Sequence, residues 1–388
     1  MSDPRVAGAG VTTFGEHPER TGRDLFAAAG LDALDAAGVP REDVEELYYG
    51  NFMGELAEHQ GHQGPMMAEA VGLDVPATRY ESACASAGAA VREAVRNVRN
   101  GEVDVALVGG AERMTNIGTA GATDALAIAA DDLYEIRAGM TFPGAYALMA
   151  RAYFEEFGGS REDLAHVAVK NHEHALENEH AQLRKEITVE DALEAPTVAE
   201  PLGLYDSCPI TDGAAAVVVT SAEYADREGL DAPVAITGTG QGGDRMALQD
   251  RPHFAQTPAA DEAATEAYED AGVDAADVDV AEVHDCFTIA EVLAIESLGF
   301  YDRGEGIGAA RRGETTRDGD LPINLSGGLK AKGHPVGATG AAQIATLSWV
   351  LDGTHPRADA CPDARTAVAH NAGGTVASTT VHVLEVTE

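Results

Sequence analysis

Apolar and polar residues follow two periods along this chain, and the two periods take turns. "VAGAGVTTFG" from Val6 reads as a buried strand and turn, and Thr21 to Ala37 places its apolar residues at the three- and four-residue spacing of a helix. "ELYYGNF" from Glu46 is again a continuous apolar run. A helical pattern follows Cys84, and "VDVALVGGAE" from Val103 predicts another strand. "DGAAAVVVTS" from Asp212, apolar from Ala216 to Val219, predicts a strand covered on both faces. Strands that take turns with helices predict an α/β fold.

The pattern also repeats. Ala37, Gly38, Val39, Asp43 and Val44 recur 234 residues later as Ala271, Gly272, Val273, Asp277 and Val278, each time as helix, "AGV", acidic turn and apolar strand. One offset shared by like elements predicts a duplicated fold. Between the copies, Asn116 to Tyr205 has another texture, with "MTFPGAYALMARAYFEEFG" followed by the polar run "KNHEHALENEHAQLRKE". The predicted organisation is an N-terminal half over residues 1–115 and 206–230, an inserted loop domain over 116–205 and a C-terminal half over 231–388. "GTGQGGD" at Gly238 to Asp244 lacks the lysine and following helix of a phosphate loop and predicts an ordinary loop.

Composition narrows the partners. A chain of 388 residues, 45% hydrophobic, can bury more than one core. A net charge of −39, with four lysines and 22 arginines, argues against nucleic acid. The acidic residues are scattered rather than blocked, which predicts a solvated surface. Charge of this size further predicts a halophilic protein, since in molar salt the Debye length shrinks to about 3 Å and self-repulsion is screened. The chain opens without a charged and then apolar leader, and no apolar run reaches the ~18 residues of a spanning helix, which predicts a cytoplasmic protein away from membranes. Cys84, Cys208, Cys286 and Cys361 lie far apart without CxxC spacing, so neither a zinc site nor a disulfide framework is predicted.

Three stretches carry chemistry. In "ESACASAG", Cys84 sits among small residues just before a helical pattern, where the positive helix end is expected to pull its pKa below the usual value of about 8.5. In "GGLKAKGHPVGATG", Gly333 and Pro335 hold His334 in a rigid turn, and glycines at 327, 328, 333, 337 and 340 allow close backbone approach. In "HDCF", His284 and Cys286 follow an apolar strand at i and i+2, so both are expected on one face, with Asp285 and Phe287 opposite in structural roles. His172, His174 and His180 do not share one helical face, so a solvated helix is expected there and no metal.

Read together, the stretches identify the chain as resembling the thiolase family, specifically the sterol-carrier-protein type and its archaeal relatives. "GGLKAKGHPVGATG" resembles the family's "GGxxAxGHPxGATG", "DGAAA" at Asp212 resembles another family signature, and "HDCF" is the subgroup's form of the common "NEAF". The resemblance implies a duplicated five-layered α/β fold and homodimers or homotetramers. It implies Cys84 as the acylated nucleophile and His334 as its base. Most thiolases carry a second acid/base cysteine in a C-terminal "CxG", but this chain reads "HNAGG" at His370 to Gly374, so the resemblance moves that role to Cys286, with His284 replacing the usual asparagine. It implies that His284 and His334 hold an enolate oxygen, and that backbone N–H groups of Cys84 and Gly373 hold the tetrahedral oxygen.

The activity implied is acetyl-CoA C-acetyltransferase: ping-pong condensation of two acetyl-CoA, or the reverse thiolysis, with coenzyme A thioesters as substrates and no resident cofactor. A degradative 3-ketoacyl-CoA thiolase for longer chains and a non-catalytic lipid-carrier or scaffold subunit are the alternatives. A complex with 3-hydroxy-3-methylglutaryl-CoA synthase and a small OB-fold protein is a further implication. Arg137, Arg151, Lys170, Arg184 and Lys185 are unranked candidates for the CoA phosphates.

Overall fold

The computed structural model describes residues 3–387. The chain runs β1 (Arg5–Val11), α1 (Gly22–Ala37), β2 (Glu46–Gly50), α2 (Gly54–Ala57), α3 (Gln63–Ala70), β3 (Ala77–Tyr80), α4 (Ser86–Arg99) and β4 (Val105–Glu112). Next come α5 (Gly118–Ala127), α6 (Phe142–Phe157), α7 (Arg161–Ala175), α8 (Val189–Glu194) and a small ribbon of β5 (Thr197–Ala199) and β6 (Leu202–Gly203). The chain then re-enters the sheet as β7 (Gly213–Thr220) and α9 (Ala222–Glu228). It continues β8 (Val234–Gly243), α10 (Pro258–Ala271), β9 (Val280–Glu282), α11 (Thr288–Ser297), α12 (Ala309–Arg312), α13 (Thr339–Leu351), β10 (Thr366–Gly373) and β11 (Ser378–Val386).

Nine strands form one mixed sheet in the order β3-β2-β4-β7-β1-β8-β11-β10-β9. The order shows the duplication: β2-β4-β7-β1 and β9-β10-β11-β8 have the same sequence of parallel, antiparallel and antiparallel neighbours. The halves join through a short pairing of Arg5 and Val6 with Ala235 and Val234. The 234-residue offset holds in three dimensions, since Gly38 and Gly272 both end their helices in the left-handed conformation and each is followed by a 3-10 turn and a strand. Glycine suits that position because it carries no Cβ.

Helix α1 begins with a capping box, in which Thr21 Oγ1 accepts from Asp24 N–H and the Asp24 carboxylate accepts from Thr21 N–H. It covers one face of the first half-sheet, and α10 covers the matching face of the second. Helices α4 and α13 pack on each other between the two half-sheets. The layers are therefore helix, sheet, helices, sheet, helix, which is the five-layered α/β fold. All eight residues of β4, of β7 and of β10 are buried, as expected for strands covered on both faces.

"GTGQGGD" is not a loop but the end of β8. Helix α10 lies directly on it, so a Cβ at Gly238, Gly240 or Gly242 would meet a carbonyl oxygen of Ala267, Ala263 or Ala259 at 2.2, 2.0 and 2.0 Å. The segment between β4 and β7 packs α6 and α7 against α11 and the loops around Cys286 and Leu329, forming a roof over one end of the sheet.

Candidate active site

The chain leaves β3 and turns through Ala83, whose φ of 49° lies in the left-handed region. For a residue with a Cβ this is uncommon, and it places strain immediately before the thiol. Ser86 closes the turn, donating to Ala83 O at 2.6 Å and accepting from Ser82 N–H at 3.0 Å. Cys84 thus stands at the amino end of α4, as its spacing predicts. The expected low pKa does not follow. Burial pushes the Cys84 thiol up to about 12, the neighbouring Cys208 acts in the same sense, and a hydrogen bond from Gly374 N–H opposes them. The residue keeps some accessible surface, yet its sulfur is surrounded by protein, and the cost of desolvating a thiolate outweighs the partial charge of a helix end. At rest Cys84 is a thiol, and to act as a nucleophile it would need a base.

A ring nitrogen of His334 lies within 4.8 Å of the Cys84 sulfur. The π-helical turn Gly328–Lys332 is bounded by Gly327, Gly328 and Gly333 with φ of 98°, 56° and 114°. The His334 N–H donates to Thr211 Oγ1 at 3.0 Å, and its Nδ1 lies 2.7 Å from Thr339 Oγ1. Thr339 donates its own proton to Pro335 O, so it accepts from Nδ1–H. The lone pair of His334 is therefore on Nε2, which is buried and has no partner among the described residues. Burial, with the Lys332 ammonium nearby, holds this imidazole down to about 3, so it rests neutral. Glu112 anchors the same loop by accepting from Gly337 N–H at 3.1 Å, together with Phe52 N–H and Met53 N–H. A Cβ at Gly340 would lie 2.4 Å from Gly88 N, so the amino ends of α13 and α4 meet glycine on glycine.

His284 and Cys286 reach the site by a route other than the expected one. Strand β9 ends at Glu282, and residues 283–286 are irregular, so the pair is not presented on one strand face. The His284 and His334 rings meet edge to face with centroids 4.9 Å apart. A ring nitrogen of each and the Cys84 sulfur all lie within 4.8 Å of one another. The three atoms could equally hold a thiophilic cation, but no ion is needed to explain their placement. His284 is 2% exposed, and burial, reinforced by His334 and His370, holds it well below the ordinary value. Cys286 stands outside this trio, within electrostatic reach of Cys84 and Cys208 and against the Tyr146 hydroxyl; burial pushes its thiol well up. Asp285 points away and accepts from Asn171, Leu329 N–H and Lys330 N–H, while Phe287 stacks on Tyr146 with centroids 4.6 Å apart.

Three residues of the site were not singled out in the sequence. Thr339 sets His334, Tyr146 touches Cys286 and donates to Gly374 O at 3.0 Å, and Asn371 bridges Cys84 and His284. Asn371 left a signal as part of the "HNAGG" departure and Thr339 as part of "GGLKAKGHPVGATG", whereas Tyr146 stood in the aromatic run of the loop domain without marking itself out. Gly373 is pressed against the nucleophile turn, a Cβ there lying 2.4 Å from Ser82 O. Its neighbour Gly374 supplies the N–H that reaches the thiol.

Two expectations fail for the loop domain. His172 and His174 are buried rather than solvated and bond to Lys185 O and Asn324 O at 3.1 and 3.0 Å, because α7 lies inside the roof rather than on it. Lys170 is also buried, 2.9 Å from Glu291 Oε1, and leaves the set of phosphate candidates.

Comparison with known proteins agrees with this geometry. The family model described as thiolase, N-terminal domain, matches residues 5–223, and that described as thiolase C-terminal domain-like matches residues 240–386. The chain is 42% identical over 384 residues to an acetyl-CoA acetyltransferase of Methanothermobacter thermautotrophicus, covering 99% of both chains. It is 32% identical to sterol carrier protein 2 of Rattus norvegicus, covering 95% of this chain and 69% of that one. Among solved structures it resembles a chain of an Ltp2-ChsH2(DUF35) aldolase, with a TM-score of 0.83 and 25% identity over 99% of this chain and 98% of the other.

Proposed function

This chain belongs to the thiolase family, and from that premise we propose that it is an acetyl-CoA C-acetyltransferase using Cys84, His334, His284 and Cys286. The observation that carries the activity is the full-length identity of 42% and 40% to two archaeal acetyl-CoA acetyltransferases. The roles of the residues are supported by the convergence of one thiol and two imidazoles within 4.8 Å.

In the first half-reaction, Cys84 Sγ attacks the thioester carbonyl while its proton passes to His334 Nε2. The C–S bond to CoA breaks, and the leaving sulfur takes a proton from Cys286. The acyl-enzyme then holds an imidazolium at His334 and a thiolate at Cys286. Because burial makes the Cys286 thiolate a strong base, it suits removal of a proton from the α-carbon of a second acetyl-CoA. The enolate oxygen is held by His284 and by His334, now protonated. The α-carbon attacks the acyl carbonyl, whose oxygen is held by backbone N–H groups of Cys84 and of the Gly373–Gly374 turn. Collapse breaks the bond to Cys84, which recovers its proton from His334, and acetoacetyl-CoA leaves. Thiolysis is the same path reversed, with CoA thioesters as substrates and no resident cofactor.

The assembly in this reading is a homo-oligomer. Its support is that β3 is a sheet edge, paired with β2 on one side only among the described residues. The complex with a synthase and a small OB-fold protein is supported by the solved neighbour being named as an assembly with a second, DUF35 protein. A halophilic, cytoplasmic setting is supported by the net charge of −39 and by the lack, among the described residues, of a helix long and apolar enough to cross a membrane.

The test is thiolysis of acetoacetyl-CoA with added CoA in molar KCl, beside Cys84→Ala and Cys286→Ala, with folding checked by circular dichroism. Loss of activity in both folded variants supports the two-cysteine mechanism, and full activity in either refutes that residue's role.

A further inference from the structure

Asn371 stands at the centre of the site with all its polar atoms engaged. Its Oδ1 accepts from Gly88 N–H at 3.2 Å. Its Nδ2 donates to Cys84 O at 3.0 Å and lies 3.1 Å from His284 Nδ1. The orientation of an amide is often ambiguous, but here both backbone partners have fixed polarity. Turned over, the side chain would set oxygen against the Cys84 carbonyl and NH2 against the Gly88 N–H. The group facing His284 Nδ1 is therefore a donor, and Nδ1 must accept.

We propose that Asn371 is a positioning residue that locks His284 in the Nε2–H tautomer, as a hydrogen-bond donor, opposite to the Nε2 lone pair that Thr339 imposes on His334. Two imidazoles with centroids 4.9 Å apart are thereby given different tasks before any substrate arrives. His334 can take the thiol proton, and His284 cannot compete for it. His284 instead presents Nε2–H, which is buried and without a partner among the described residues, ready for an oxygen that gains negative charge. A neutral imidazole left free would divide its proton between both nitrogens and be a donor at Nε2 only part of the time. The inference rests on the thiolase reading of the site.

The variants Asn371→Ala and Asn371→Asp separate this role from simple support. An ionised aspartate can only accept, so it draws the proton to His284 Nδ1 and leaves a lone pair at Nε2. The tautomer lock predicts the activity order wild type, Asn371→Ala, Asn371→Asp at pH 8, with the aspartate variant down by on the order of 100-fold in thiolysis. The Asn371→Asp defect shrinks as pH falls, because protonated His284 carries hydrogen on both nitrogens. A purely space-filling role predicts the two variants in the opposite order below wild type, since aspartate is isosteric and alanine leaves a void, and that order overturns the proposal.

Should the variants not fold, wild type labelled with 15N-histidine decides the matter, with His284 assigned by comparison with His284→Gln. A proton on Nε2 supports the lock, and a proton on Nδ1 overturns it. Wild type that neither cleaves acetoacetyl-CoA nor forms an acyl-cysteine refutes the thiolase reading itself, whereas an active wild type with the variants in reversed order refutes only the tautomer assignment.

Discussion

Lowering the pH from 6.5 to 4.5 should unfold this protein well before ordinary acid denaturation. His172, His355, His370 and His382 are held down to about 4 and His334 to about 3, all chiefly by burial. A hydrogen bond agrees for one of them: His370 Nδ1 accepts from His284 N–H, so that ring cannot charge in place without losing a partner. For His382 the bond from Nε2 to Gly88 O opposes the shift, and burial outweighs it. For a group whose folded pKa is depressed, the unfolded chain binds the proton first, and stability falls as pH drops below the unfolded value of about 6.5.

Two carboxyls act in the opposite sense. Burial pushes Glu112 and Asp285 up to about 7, so in this window they are protonated in the fold and ionised in the unfolded chain. Five imidazoles taking up protons against two carboxyls releasing them leaves about three protons bound on unfolding near pH 5.5. His174, His180 and His284 add to that number, while Asp3 and Glu296 subtract. At 1.36 kcal/mol per proton and pH unit, stability should fall by about 4 kcal/mol per pH unit, enough to consume a typical folding free energy within two to three units. The measurement is urea unfolding in molar KCl at half-unit pH steps, with His382→Gln removing about one proton from the slope. Stability that stays level between pH 6.5 and 4.5, or rises as the pH falls, would refute the reasoning.

Other perturbations have equally definite outcomes. Gly340→Ala places a methyl 2.4 Å from Gly88 N and 2.5 Å from Asn371 Oδ1, and should cost about 3 kcal/mol in denaturation as well as most activity. Lys170→Met leaves Glu291 charged and buried without its 2.9 Å partner, and should cost about 3–5 kcal/mol; a smaller loss would mean that Asn171 and Asn324 satisfy the carboxylate by themselves. Cys286→Ala should slow the burst of CoA released when acetyl-CoA acylates Cys84, because the leaving sulfur loses its proton donor, and should show no exchange of the acetyl-CoA α-protons with deuterated water; wild-type exchange in the variant would remove Cys286 as the base. Dilution from molar KCl to about 0.1 M should lower the melting temperature, since screening of a net charge of −39 is lost; an unchanged midpoint would remove the argument for salt adaptation.

The chain pattern by itself determined the α/β alternation, the helix over Thr21 to Ala37, the buried β7 and the duplication, because each depends on residues close in sequence or on a repeat within it. The Ala37 and Ala271 copies needed no tertiary information, since a helix ended by glycine before a strand is a local event. The glycines of "GTGQGG" were misread for the opposite reason: they look like a loop until α10, which follows only after a turn, is laid across them. His172 and His174 were misread because polarity along one helix does not tell which face another element will cover.

As candidates, Cys84 and His334 stood out in the sequence by their small and glycine-rich surroundings, and His284 and Cys286 by the "HDCF" stretch after an apolar run. Their ionisation and tautomers did not. Whether a thiol at a helix end is ionised depends on how much water the assembled fold leaves around it, and here burial prevails. Which nitrogen of each histidine holds the proton depends on Thr339, five residues from His334, and on Asn371, 87 residues from His284. Sequence could name candidate acid–base groups because side-chain chemistry is carried by the residue; only the tertiary structure could assign donor and acceptor, because a proton's position is decided by the neighbour it meets.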